Sequence, residues 1–147
     1  MNPIESLLIK DSKMIMEEVN KSLWNAFETL RIAEQELQRP NEDVVALCAC
    51  QCTRISAEGF FRSYLLSKSP EKNENESLSD LLDECAKLDS HFSTIDLSCF
   101  NCKNTNEKEC DKKYCLSVDK VNECFEQTHI IRNLVLSKLK LSEKDFS

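Results

Sequence analysis

The pattern that decides the fold is clearest in Val19-Asn-Lys-Ser-Leu-Trp-Asn-Ala-Phe-Glu-Thr-Leu-Arg-Ile-Ala-Glu-Gln-Glu-Leu37. Its apolar side chains recur at steps of three and four residues, which is the spacing of one face of an α-helix. The residues on this face are Val19, Leu23, Ala26, Phe27, Leu30, Ala33 and Leu37. The stretch therefore predicts a long amphipathic helix. Pro40 ends it, because proline lacks a backbone N–H.

The residues before this stretch extend the helix towards the N-terminus. Asn2 suits a helix cap and Pro3 suits the first helical position. Asp11 and Ser12 have short polar side chains that compete for backbone hydrogen bonds, so we expect an interruption there.

A second helix is predicted from about residue 42 to residue 67, with Asn41 as its cap. The turn before it is short, so it should run antiparallel to the first helix. Gly59 is the only glycine in the chain, and in a helix it costs roughly 1 kcal/mol relative to alanine. We therefore expect a close helix–helix approach at Gly59. The predicted apolar face consists of Val45, Cys48, Cys52, Ile55, Gly59 and Phe60.

Two further helices complete the pattern. Ser77 and Asp80 form a capping-box signature at the start of a third helix, which stops before His91. Its apolar stripe consists of Leu78, Leu81, Leu82, Cys85 and Leu88. Ser117 caps the last helix, and residues 141–147 are expected to fray. That helix carries Val121, Cys124, Phe125, Thr128, Val135 and Leu139 on one face.

Composition agrees with an all-α protein, because one glycine and three prolines in 147 residues are too few for a turn-rich β fold. We predict an antiparallel up-down four-helix bundle, formed as one domain over residues 1–147. The net charge of −7 disfavours nucleic-acid binding, which needs a basic face, although a local basic patch is not excluded by it. No signal peptide or membrane-spanning run is visible, so we expect a cytoplasmic protein.

Four cysteines stand in a polar stretch before the last helix, Cys99, Cys102, Cys110 and Cys115, with the spacing C-x2-C-x7-C-x4-C. Four thiolates can hold one Zn²⁺ tetrahedrally, and such a closed site is structural because no position is left for water. An iron–sulfur cluster uses the same ligands, and disulfides or unmodified thiols are further alternatives. We predict a zinc knuckle in a cysteine-rich insert at residues 92–117.

The other cysteines fit a helix core. Cys48 and Cys52 share a helix face, whereas Cys50 points away from it and should lie nearer the surface. Cys85 and Cys124 also fall on apolar stripes, where cysteine acts as a small buried hydrophobe. Core packing is therefore the favoured interpretation over a second metal site.

Known catalytic patterns are mostly missing. A single glycine excludes a glycine-rich phosphate loop, and the one Glu-x-x-His, Glu126 to His129, lacks the second copy that a di-iron bundle needs. Arg132 is the remaining candidate, because it falls inside the apolar stripe of the last helix with His129 on its flank. A buried guanidinium needs a partner, and a carboxylate, a helix end and an external anion all qualify.

Three short segments carry a family resemblance: Ala57-Glu-Gly-Phe-Phe-Arg-Ser-Tyr64, Ser77-Leu-Ser-Asp-Leu-Leu82 and Arg132-Asn133. The first resembles the A-E-K-x-L-K-A-type segment of the HEPN family of small helical-bundle proteins. The second is similar to that family's H-D-L-x-x-L-L-type helix start, and the third looks like the start of its R-x4–6-H motif. The resemblance covers roughly residues 13 to 140.

The resemblance implies an up-down α-bundle that dimerises through its motif-bearing helices. Many family members are ribonucleases, in which the arginine and histidine of the motif converge across the dimer on a scissile phosphate. Other members pair with a nucleotidyltransferase in toxin–antitoxin systems. The cysteine-rich insert lies outside the usual family pattern.

This chain departs from the motif at its histidine. The motif spacing from Arg132 leads to Ser137, Lys138 and Leu139, and His129 precedes the arginine instead of following it. A cationic lysine cannot take a proton from a 2′-hydroxyl, so a catalytic role does not carry over. Arg132 and Asn133 carry over only as remnants of an anion or dimer site.

Three hypotheses follow. The favoured one is a homodimeric, non-catalytic interaction or regulatory module with a structural zinc knuckle, and a nucleotidyltransferase is one candidate partner. The second is a ribonuclease or nucleotide-binding protein of a toxin–antitoxin-like system, which uses Arg132, Asn133 and His129 in an altered arrangement. The third is a thiol or metal redox sensor that acts through the cysteine cluster.

Overall fold

The computed structural model of the protein describes residues 3–68, 77–100 and 118–146. These residues form four α-helices and contain no β-strand, so the prediction of an all-α fold is confirmed for this part of the chain. The helices are α1 (Pro3–Leu37), α2 (Ala46–Lys68), α3 (Leu78–Leu88) and α4 (Val118–Leu139). Short 3-10 turns lie at Asn41–Asp43, Ser90–Thr94, Ser98–Phe100 and Glu143–Phe146.

Helix α1 is a single element that ends at Leu37, before Pro40 as predicted. The interruption expected at residues 11 and 12 is wrong, because the helix runs through them. Serine and aspartate lower helix propensity by only about 0.7 kcal/mol or less per residue, which a 35-residue helix absorbs. The predicted caps Asn2 and Ser117 lie outside the described residues.

The closest helix contact joins α1 and α2 at Gly59. A Cβ atom added to Gly59 would lie 3.0 Å from the Cβ of Ala26, so the predicted close approach is confirmed. The Ser56 hydroxyl donates to the Ala26 carbonyl at 2.8 Å, and the hydroxyls of Ser22 and Ser63 are hydrogen-bonded to each other at 2.8 Å. Residues later in α2 thus meet residues earlier in α1, which makes the two helices antiparallel.

The start of α2 differs from the prediction. Asn41 lies in a 3-10 turn, and α2 begins at Ala46. A carboxylate oxygen of Glu36 accepts a hydrogen bond from the Val45 backbone N–H at 2.7 Å. The cap residue directly precedes the first helical residue, so Asn41 lies too early in the chain to cap α2.

The buried face of α2 is also rotated from the predicted one. Val45 and Ile55, both expected in the core, are 49% and 55% exposed. The face instead includes buried hydroxyl residues, namely Thr53, Ser56 and Ser63. Each hydroxyl donates to a helix carbonyl, so burial leaves no donor unsatisfied. Small hydroxyl residues allow a closer helix contact than isoleucine would.

The third helix begins as predicted. The Asp80 N–H donates to the Ser77 hydroxyl, and the Ser77 N–H donates to the Asp80 carboxylate, which completes the capping box. The helix ends at Leu88, before His91, although Leu88 is exposed rather than part of the buried stripe. In the stretch after it, two 3-10 turns bury Phe92 and Phe100.

The core links the helices through aromatic contacts. The Phe27 ring meets that of Phe60 edge-on at 5.2 Å, and the Tyr64 ring lies 4.6 Å from that of Phe92. Phe146, in the tail that was expected to fray, is 5% exposed and stacks on Phe27 at 5.1 Å. Burying an aromatic ring removes a large apolar area from water, which offsets part of the cost of ordering the tail.

We expect Gly59→Leu to lower the free energy of unfolding by about 2 kcal/mol, because the added side chain overpacks the contact with Ala26. Chemical denaturation measures this change. Gln51→Leu, on the exposed side of the same helix, should change the free energy of unfolding by about 0.5 kcal/mol or less. Ala26→Gly should recover part of the loss in the Gly59→Leu background. Equal effects of the two leucine substitutions would contradict the close contact.

Candidate functional site

Arg132 lies in the buried stripe of α4, as predicted, with its side chain 14% exposed. Two of its nitrogens donate to the Asn133 side-chain oxygen, Nε at 3.1 Å and Nη2 at 3.0 Å. Nη1 donates to the Glu143 carboxylate at 3.3 Å, and the guanidinium carbon lies 6.0 Å from the centre of the Phe27 ring. Among the partners considered from the sequence, the structure places a carboxylate at Arg132.

The Arg132–Glu143 ion pair lies at the surface of the protein and not in its core. The Glu143 side chain is mostly exposed, so water and salt screen the pair, and such pairs contribute about 1 kcal/mol or less. The ring of Phe27 below the guanidinium adds a cation–π contact, which favours arginine over lysine here. The arrangement holds the end of the chain against α4.

His129 lies one turn before Arg132 and is half-buried. Its ring packs edge-on against Phe125, with the ring centres 4.6 Å apart. Burial lowers the pKa of His129 below its ordinary value, and the nearby Arg132 charge lowers it further. The carboxylates of Glu126, Glu34 and Glu143 act in the opposite direction and only reduce the shift. The imidazole is therefore neutral near pH 7, a form that can accept a proton.

Lys138, one of the three positions to which the motif spacing leads from Arg132, is engaged by other side chains. Lys138 forms an ion pair with Asp89 at 2.9 Å and contacts Nδ1 of His91. The His91 N–H and the Lys138 ammonium both hydrogen-bond to the Asp89 carboxylate, which lowers its pKa. These partners follow α3, whereas Arg132 contacts Phe27 and the C-terminal turn. His91, the other histidine of the chain, therefore contacts Lys138 and not Arg132.

Of the four predicted metal ligands, only Cys99 belongs to the described residues. Cys102, Cys110 and Cys115 lie outside them, so the four-thiolate site stays a prediction. Among the described residues, no three side chains of histidine, cysteine, aspartate or glutamate are grouped to hold a metal ion.

Cys99 lies in the 3-10 turn Ser98–Phe100, which packs on α4. Its carbonyl accepts a hydrogen bond from the Cys124 thiol, with the sulfur 2.9 Å away. The interaction with the Cys124 side chain lowers the pKa of Cys99, although burial and nearby carboxylates oppose this shift. Arg54 holds the other side of the turn, where it donates to the Phe100 carbonyl and covers the Phe100 ring.

The remaining described cysteines divide into two environments. Cys85 is buried, which raises its pKa to about 12. Cys48 and Cys52 are half-buried neighbours, and burial followed by the contact with Cys48 raises the pKa of Cys52. Cys50 is half-buried as well and packs beside Ala49, so the expected difference between Cys50 and the other two is not seen.

The chain matches no family model, no curated protein and no solved structure. None of the helices in the described ranges is both long and apolar enough to cross a membrane. These comparisons therefore give no indication of function.

Sequence reasoning missed two residues of these sites. Glu143 supplies the carboxylate at Arg132, and Cys124 supplies the thiol beside Cys99. Phe146 could have drawn attention to the C-terminal turn, because it is an aromatic residue in an otherwise polar tail. No spacing rule points to Cys124, since its neighbour is 25 residues away.

We expect acidification to destabilise the protein through His129. Its pKa is lowered in the folded state, so the unfolded state binds the proton more readily and stability falls as the pH drops through about 6.5. Denaturation at several pH values should show a smaller loss of stability for His129→Gln than for the unmodified protein. An NMR titration that places the pKa of His129 at or above 6.5 would contradict this expectation.

Proposed function

We propose that the protein is a non-catalytic interaction or regulatory module of the HEPN type. In this proposal it is a cytosolic homodimer of up-down four-helix bundles, and a zinc ion bound to its cysteine-rich segment stabilises it. The four described helices and the antiparallel contact of α1 with α2 support the fold.

One observation carries the non-catalytic part: the guanidinium of Arg132 is already bound within the chain. Asn133, Glu143 and the Phe27 ring surround it, and Glu143 carries the negative charge that a phosphate would bring. A phosphate would have to displace Glu143 before it could reach the arginine. Lys138, near the position of the motif's histidine, is engaged by Asp89 and presents no base.

The zinc part of the proposal rests on the chemistry of the donors. Cys99, Cys102, Cys110 and Cys115 would hold the ion, because four thiolates match the preference of Zn²⁺. The bound ion would supply cross-linking of a polar segment and no reaction step. An iron–sulfur cluster is the alternative with the same ligands. The contacts of the Ser98–Phe100 turn with Arg54 and α4 support a fixed position for Cys99.

A ribonuclease or nucleotide-binding protein of a toxin–antitoxin-like system is the second candidate. The observation that favours it is the neutral imidazole of His129, one helical turn from Arg132. A neutral imidazole can accept a proton, so this pair has an acceptor and a cation on one helix face. In this alternative, a nucleotidyltransferase would be the natural protein partner.

An RNA cleavage assay with the pure protein decides between the two candidates. We expect no cleavage above background, and no difference between the unmodified protein and Arg132→Ala. Cleavage that disappears in both Arg132→Ala and His129→Ala would overturn the non-catalytic proposal. Arg31→Ala is the matched control, because Arg31 is exposed and pairs only with its helix neighbour Glu28 among the contacts described.

The proposed dimer would use the outer side of α4. Ile130 is 52% exposed on the side of α4 away from the core, close to the exposed Asn133. A single exposed isoleucine is common on monomers, so exposure alone does not identify an interface. The family resemblance, which implies dimerisation through the motif-bearing helices, is what favours this face.

Ile130→Glu should weaken the dimer by at least about tenfold, because a charge replaces an apolar contact in a desolvated interface. Analytical ultracentrifugation over a range of concentrations measures this change. Ile55→Glu is the matched control, since Ile55 has the same side chain and nearly the same exposure on α2. A monomeric unmodified protein, or equal dissociation by both variants, would refute a dimer through α4.

A further inference from the structure

Two cysteines that are far apart in the sequence meet at the edge of the cysteine-rich segment. Cys99 lies in the Ser98–Phe100 turn and Cys124 lies in α4, 25 residues later. The Cys124 sulfur is 2.9 Å from the Cys99 carbonyl oxygen, so it lies against the backbone of the residue that carries the Cys99 thiol. Both cysteines are in the thiol form.

The surrounding structure holds both thiols in place. The turn is fixed by Phe100, whose ring is buried and whose carbonyl accepts from Arg54. Cys124 follows the buried Val121 by one helical turn and precedes the buried Phe125. The contact therefore joins two packed elements, and a bond between the two sulfurs requires the Cys99 side chain to turn towards Cys124.

The two sulfurs differ in their access to solvent. Cys99 is half-buried, whereas Cys124 is only 3% exposed. A small oxidant in water thus reaches Cys99 first and leaves Cys124 protected as a second thiol. A reactive, accessible cysteine beside a resolving cysteine is the arrangement that favours reversible oxidation.

We infer that Cys99 and Cys124 form a site of oxidative modification, at which hydrogen peroxide joins them in a disulfide. The Cys99 thiol loses its proton to solvent, the thiolate attacks one peroxide oxygen, the O–O bond breaks, and a sulfenic acid and hydroxide result. The Cys124 thiol then loses its proton to that hydroxide, and its sulfur attacks the Cys99 sulfur. The S–O bond breaks, and the second oxygen leaves as hydroxide, which gains a proton to become water. Two sulfurs lose one electron each, and the peroxide becomes two waters.

A disulfide suits the surroundings of Cys124 because it is neutral. The Cys124 sulfur lies against a carbonyl oxygen in a buried position, where a lasting thiolate would be repelled and poorly solvated. The disulfide also excludes Cys99 from the proposed zinc site, so metal bound there would delay the reaction. The inference does not depend on zinc, since the thiol contact exists among the described residues alone.

Mass mapping of oxidised protein tests this inference. The protein is treated with one equivalent of hydrogen peroxide, both as purified and after removal of metal by a chelator, and is digested without reduction. Cleavage after Phe100 separates Cys99 from Cys102, and cleavage after Lys120 releases the peptide that contains Cys124. We expect a linked Cys99–Cys124 peptide that lacks two hydrogen atoms and separates on reduction.

Three serine variants sharpen the result. Cys99→Ser and Cys124→Ser should each abolish the linked peptide. Cys85→Ser is the matched control, because Cys85 is also a buried thiol that contacts a backbone carbonyl, that of Phe61. Its yield of the linked peptide should stay within about twofold of that of the unmodified protein.

The thermal midpoint supplies a second readout. A disulfide that closes a 25-residue loop should raise the midpoint of the oxidised protein by about 5 °C or more, and reduction should reverse the shift. The inference is overturned if the chelator-treated protein yields no Cys99–Cys124 peptide, or if Cys99 links mainly to another cysteine. Elemental analysis before oxidation tests the zinc proposal separately, so the two ideas can fail independently.

Discussion

The close contact between α1 and α2 is the constraint on which the other contacts depend. At Gly59 the two helices approach until a methyl group would have little room against Ala26. Hydroxyl groups along the same contact donate to carbonyls of the helices, so the approach buries polar atoms without leaving them unpaired. With α1 and α2 fixed in this way, Phe27 and Phe60 meet, and their rings provide the surface on which the rest of the core packs.

The surfaces that matter for function are built on this helix pair. Arg132 takes its position from Phe27 on α1 and from Glu143 after α4, so its surroundings depend on three separate elements. The Ser98–Phe100 turn depends equally on α2, through Arg54, and on α4, through Cys124. Both sites are therefore products of tertiary packing, and a local sequence motif does not describe either of them completely.

Periodicity predicted the four helices, and the single glycine predicted the close contact, because both follow from local geometry. The buried face of α2 was predicted wrongly. The apolar Ile55 was expected in the core, but the polar Ser56 is buried instead. A serine can be buried cheaply when its hydroxyl finds a carbonyl on the facing helix, and that carbonyl is not visible in the sequence. Glu143 and Cys124 were missed for the same reason, because each contacts a group that is distant in the sequence. Three of the predicted zinc ligands lie outside the described residues, so that site remains a prediction.

The packing of Phe146 on Phe27 has a consequence for the order of folding. The two hydrogen bonds between α1 and α2 span 30 and 41 residues, whereas Phe27 and Phe146 are 119 positions apart. Closing the longer loop costs more chain entropy, so the helix pair can form early while the C-terminal turn docks late. Glu143 is part of that turn, so it docks together with Phe146. A short terminal turn held by one stacked ring and one exposed ion pair should open at a lower free energy than the helices, and such an opening would expose Arg132 to solvent.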